Sequence, residues 1–126
     1  MVKKKIAFTK NVLTVTMATN LSLVIDKSQY KNMLIIMPAA WSIADITFLI
    51  SDNSTTGFTK LMIADNNLAL KEAQIRAPIE SMVISPIGKL KEALESAIFI
   101  KLRSGTSAIP VTQDDPRTFT IVLSGC

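Results

Sequence analysis

Histidine is absent from this chain, and that absence removes whole classes of chemistry. Without an imidazole the chain lacks the commonest general base near neutral pH and the commonest metal ligand. Serine-histidine-aspartate and cysteine-histidine catalysis are therefore excluded. Cysteine occurs once, as Cys126, which rules out an intrachain disulfide and a multi-cysteine metal site and agrees with synthesis in a reducing compartment. Glycine is sparse, and Gly57, Gly88, Gly105 and Gly125 form no phosphate-cradling motif. No apolar run approaches the roughly 20 residues that cross a bilayer; the longest, residues 33–41, is interrupted by Pro38. The first residues are basic, but residues 6–11 do not form the apolar stretch of an export signal, so none is expected. Asn20-Leu21-Ser22 and Asn53-Ser54-Thr55 accordingly read as chance glycosylation sequons.

Acidic residues are also placed without catalytic pattern. Glycoside hydrolysis needs two carboxylates facing one another across a cleft. Glu92 and Glu95 instead belong to a helix face, and Asp114 and Asp115 precede Pro116 in a loop. Oxygen ligands for calcium are available in Asp52, Asn53, Asp65, Asp114 and Asp115, but none has the EF-hand spacing, and acidic residues in β-turns serve turn geometry. The expectation is a protein that is not an enzyme and carries neither metal nor cofactor.

What is present is mostly alternation. Residues 98–103 place Ile98, Ile100 and Leu102 on one face, and residues 117–123 place Phe119, Ile121 and Leu123 on one face, the period of half-buried strands. Leu13, Val15 and Met17 alternate in the same way, and residues 4–8 and 21–25 are further candidates. Residues 33–37 (Met-Leu-Ile-Ile-Met) form a continuous apolar run that reads as a central strand buried on both faces. Residues 45–51 alternate again, and residues 52–57, rich in Asp, Asn, Ser, Thr and Gly, turn the chain into residues 58–64, a hairpin. Asp65-Asn66-Asn67 is the next turn, leading to residues 68–70, with 75–77 and 81–84 as further short strands. The helical exception is residues 89–96, where Leu90, Ala93, Leu94 and Ala97 share a stripe and Lys91 and Glu95 stand four apart. Two turns cannot stand alone, so this helix must lie on the sheets as a lid.

A chain of 126 residues holds one core. About eight to ten short strands with one short helix therefore predict an all-β fold, a two-sheet antiparallel β-sandwich of jelly-roll-like or immunoglobulin-like kind. The expected division is a basic arm or edge strand over residues 1–10 and a single sandwich domain over 11–126.

The net charge of +4 is concentrated at the start, in Lys3, Lys4, Lys5 and Lys10. Such an arm approaches phosphates or an acidic partner by electrostatics, or protects a sheet edge. Nucleic acid is not the expected partner, because no aromatic-plus-basic stripe accompanies it and the arginines are only Arg76, Arg103 and Arg117. Trp41, in a connection between apolar strands, either anchors an interface or plugs one end of the sandwich. Arg103 and Arg117 flank the loop over residues 104–116 and either pair with Asp114 or Asp115 or reach a neighbouring subunit. A loop of that length is usually functional or mobile, which makes Thr106 within it a further contact candidate.

Ile100-Lys101-Leu102-Arg103-Ser104-Gly105-Thr106-Ser107-Ala108-Ile109-Pro110-Val111-Thr112-Gln113, followed by Arg117-Thr118-Phe119-Thr120-Ile121-Val122-Leu123, resembles the C-terminal signature of small β-rich structural proteins of tailed bacteriophages. Met37-Pro38-Ala39-Ala40-Trp41 with residues 45–51 is similar to the strand before the hairpin in that group. The resemblance implies a virion component made in the host cytoplasm, a capsid decoration or cement subunit or a head and tail accessory part. It implies capsid or other virion proteins as partners and a homo-oligomer, with no membrane. The candidate contacts are Lys3, Lys4, Lys5, Trp41, Arg103, Thr106 and Arg117. The competing expectation is a carbohydrate- or receptor-binding sandwich of a phage tail or cell-surface apparatus using Trp41 and Tyr30, and it requires Trp41 exposed in a polar groove.

Overall fold

The computed structural model describes residues 10–27, 30–64 and 69–125. The expected first strand over 4–8, the contact candidates Lys3, Lys4 and Lys5, the turn at Asp65-Asn66-Asn67 and Cys126 lie outside them. In chain order the elements are β1 (Lys10–Met17), β2 (Ile25–Asp26), β3 (Asn32–Ile36), β4 (Ile46–Ser51), β5 (Thr59–Lys60), β6 (Met62–Ala64), β7 (Leu70–Glu72), β8 (Gln74–Ile75), β9 (Val83–Ile84), α1 (Gly88–Glu95), β10 (Phe99–Ser104) and β11 (Arg117–Ser124). Four of these strands are only two residues long, which is why the described strands slightly outnumber those expected from alternation.

Every ladder is antiparallel. One sheet runs β1-β11-β3-β9; the other runs β2-β10-β4-β5, with β8 also pairing β4; β6 and β7 form a separate ribbon. This is the expected all-β sandwich with one short helix. The hairpin over residues 45–64 forms, with Leu49 opposite Lys60 and Ile50 opposite Thr59. The two alternating runs near the C-terminus sit in different sheets, β10 between β2 and β4, β11 between β1 and β3. The loop between them therefore crosses from one sheet to the other.

The core lies where the two inner faces meet. Val15, Met17, Met33, Ile35, Phe119, Ile121 and Leu123 from the first sheet pack with Ile25, Ile46, Phe48, Ile100 and Leu102 from the second. Each such fully buried aliphatic or Phe side chain contributes about 1.5–3 kcal/mol relative to exposure, and these supply most of the stability. Helix α1 lies beside β3 and β6 and drives Leu94 into the same core, as a lid should.

The exception to expectation is β3. Met33 and Ile35 are buried, but Leu34 is exposed and Ile36 half-buried. The apolar run is therefore covered on one face only, because the outer face of the first sheet is open to solvent.

Candidate interaction face

Strand register lines up the side chains of that open face in rows. Val12 of β1 stands opposite Val122 of β11, which stands opposite Leu34 of β3. One row on, Thr14, Thr120, Ile36 and Val83 follow one another across all four strands, and Thr16 opposite Thr118 ends the series. The parity follows from the core: residues 13, 15 and 17 of β1 point inward, so residues 12, 14 and 16 point out. Val12 is 55% exposed, Val83 59% and Leu34 36%. From Val12 to Thr118 these rows carry aliphatic and threonine side chains and no charge; Lys10 stands beyond them at one end.

The outer face of the second sheet is different. Lys101 and Arg103 of β10 project there, and each is engaged. The Lys101 ammonium lies 4.7 Å from the centre of the Phe58 ring, a cation–π contact. Arg103 donates through Nη2 to Glu72 of β7 and through Nε to Thr47 Oγ1 at 3.0 Å. The ion pair is nearly buried, with side-chain exposures of 11% and 13%. The charges that β10 projects are thus engaged on the outer face of one sheet, while the rows from Val12 to Thr118 on the other carry none.

The loop after β10 is tied down at its base, with residues 107–110 exposed at its tip. Glu72 also accepts from the Ser107 amide at 3.0 Å and the Ser107 hydroxyl at 3.1 Å. Gly105, at φ +88°, donates its N–H to Asp45 O, and a Cβ there would sit 2.4 Å from Ile109 O. The Thr106 amide bonds Ile109 O while its hydroxyl accepts from the Ile109 amide. Further along, the buried Gln113 donates to Ser104 Oγ at 2.8 Å and Ser42 O at 3.0 Å, and accepts from the Ser42 amide at 2.8 Å. Arg117 donates to Gln113 Oε1 and Ser42 Oγ, and Ser42 Oγ reaches Asp114.

These bonds give four of the candidate contacts named from sequence a place within the chain itself. Arg103 pairs with Glu72, not with Asp114 or Asp115. Arg117 is linked to Asp114 only through Ser42. Thr106 closes a tight turn. Trp41 is 7% exposed, packed edge-on against Phe119 with ring centres 5.5 Å apart, and donates its indole N–H to Ala44 O at 3.1 Å. It plugs the sandwich, as a large ring with one polar atom does when that atom finds a partner.

Sequence reasoning missed Lys27 altogether. Its side chain is completely buried and donates to the carbonyls of Tyr30 at 2.6 Å and Lys31 at 3.1 Å. Burial pushes its pKa down, partly offset by attraction to Glu95. Glu95 in turn is held below its usual range chiefly by the hydrogen bond from Lys91, at 2.5 Å. A cavity of about 220 Å³ opens nearby, between α1 and β3, with Lys31 and Lys91 at its rim and Met33, Leu34 and Leu94 among its walls. Among the described residues no three acidic or cysteine side chains cluster as metal ligands would, and no helix is long and apolar enough to cross a membrane.

The arrangement defines a two-sheet sandwich with an uncharged outer face on its four-stranded sheet. The same fold is found in the crystal structure of the SPBc2 prophage-derived protein YomS, which aligns over 98% of this chain and 100% of its own with a TM-score of 0.59 and 8% sequence identity. That likeness is one of fold. No family model matches the chain, and none of the curated proteins matches it.

Proposed function

We propose that this chain is a non-enzymatic structural component of a tailed-bacteriophage virion, a decoration or cement subunit that adheres to the capsid through the outer face of its four-stranded sheet. The observation that carries the reading is the row Val12, Val122, Leu34 together with Ile36 and Val83: apolar side chains at strand positions where a solvated sheet carries polar ones. The fold shared with a prophage-derived protein supports the viral context. The resemblance of residues 100–123 to phage structural proteins points the same way. On this reading the loop over residues 104–116 braces the domain and the sheet face makes the contact, with virion proteins as partners and the virion as location.

The carbohydrate-binding alternative has little support. Among the described residues no aromatic side chain is exposed; Trp41 is buried and Tyr30 half-buried, so no ring platform stands ready for a sugar.

Quantifying the chain in purified particles tests the proposal. A decoration subunit is present in numbers matching the capsid lattice. A stoichiometry of a few copies would move the protein to the tail, and its absence from particles would overturn the reading.

A further inference from the structure

Among the described residues β1 forms one edge of the first sheet, and it pairs with β11 along its whole length. On its other side the Thr16 carbonyl accepts a bond from the Leu23 amide at 2.9 Å. Backbone groups of alternate residues point to the same side of an antiparallel strand. The N–H and C=O of Lys10, Val12 and Thr14 therefore face away from β11, toward the edge. Natural edges are blunted by charge, proline, glycine bulges or a covering element; β1 carries one such feature, Lys10 at its first position, and residues 11–17 contain no charged residue, proline or glycine. We infer that β1 pairs with β1 of a second copy across a two-fold axis, joining two four-stranded sheets into one.

The register follows from the same bonds. Leu23 occupies the edge beside Thr16, so β1 of the partner cannot run past residue 15. The register that keeps it clear and uses most outward groups sets Val12 opposite Val12 and Lys10 opposite Thr14, with about six backbone hydrogen bonds. Like charges are then not opposed, and the row Leu34, Val122, Val12 continues into the same row of the second copy. A two-fold pairing of identical strands closes on itself, as stable homo-oligomers do. The inference stands independently of what the face adheres to.

Solution mass over a dilution series tests it. The full chain is expected to approach twice 13.7 kDa at high concentration. Val12→Lys, which sets two ammonium groups opposite one another only in the dimer, is expected to weaken association at least about tenfold with an unchanged circular dichroism spectrum. In a Cys126→Ser background, Val12→Cys is expected to cross-link to itself on mild oxidation, because directly paired residues lie about 5.5 Å apart, within disulfide reach. Thr14→Cys, which opposes Lys10, is expected not to. A monomer at every concentration, a dimer indifferent to Val12→Lys, or equal cross-linking of the two cysteine variants would overturn the inference.

Discussion

Trp41 and Lys27 exchange the roles their side chains advertise. The tryptophan, set in a connection between strands, is core; the lysine, flanked by Asp26 and Ser28 in a polar stretch, is buried more completely. Trp41→Ala is expected to cost about 3–5 kcal/mol in chemical denaturation, and native tryptophan fluorescence is expected to resist iodide quenching and ignore sugars. Lys27 sets a pH dependence whose sign follows from its lowered pKa. Between that value and its ordinary 10.5 the unfolded chain binds more protons than the folded one, so stability rises with pH through this window. Lys27→Met is expected to abolish that rise. At neutral pH it is expected to destabilise by about 1–3 kcal/mol, because the carbonyls of Tyr30 and Lys31 lose their donor. Denaturation midpoints measured from neutral to alkaline pH check both effects. The plug was one of two readings open for Trp41, and Phe119, distant in sequence, decides it; the burial of Lys27 was not legible beforehand, because the backbone oxygens of Tyr30 and Lys31 that hold its ammonium carry no signal in side-chain pattern.

Elements were easier to read than their partners. The inner faces of β1, β10 and β11 follow directly from alternation: Val15 and Met17, Ile100 and Leu102, and Phe119, Ile121 and Leu123 are all buried. The run over residues 33–37 has apolar residues at both parities, and alternation cannot say whether the second face is covered by the same chain or by another. Arg103 illustrates the other limit, for Asp114 is closer in sequence but Glu72, brought in by the β6–β7 ribbon, is what it meets. Helix α1 starts without a side-chain cap. Ile87 has the extended geometry of an N-cap, with φ −132° and ψ 171°, but no side-chain oxygen to bond the first-turn amides. Ile87→Asp is expected to stabilise by about 0.5–2 kcal/mol, read as a higher denaturation midpoint and slower amide exchange in α1. Glu95 adds an acid limit: its lowered pKa favours the folded helix above the usual carboxylate range, and this support disappears as pH falls through the lowered value.

At the scale of the molecule, the outer faces of the two sheets differ in charge, and the proposed contact rests on that difference. Arg103, Lys101 and Glu72 are engaged on the outside of one sheet, while the outside of the other offers rows of valine, leucine, isoleucine and threonine. The deciding measurement is the incorporation of a Leu34→Glu/Val83→Glu double variant into virions beside the unaltered protein, with the thermal midpoint of each recorded. Both positions are exposed, so the substitutions are expected to change stability by no more than about 0.5 kcal/mol each. The account predicts an unshifted midpoint and at least about a tenfold loss of particle-bound copies, as two carboxylates enter a face that must shed water. Full incorporation of the folded variant would contradict it.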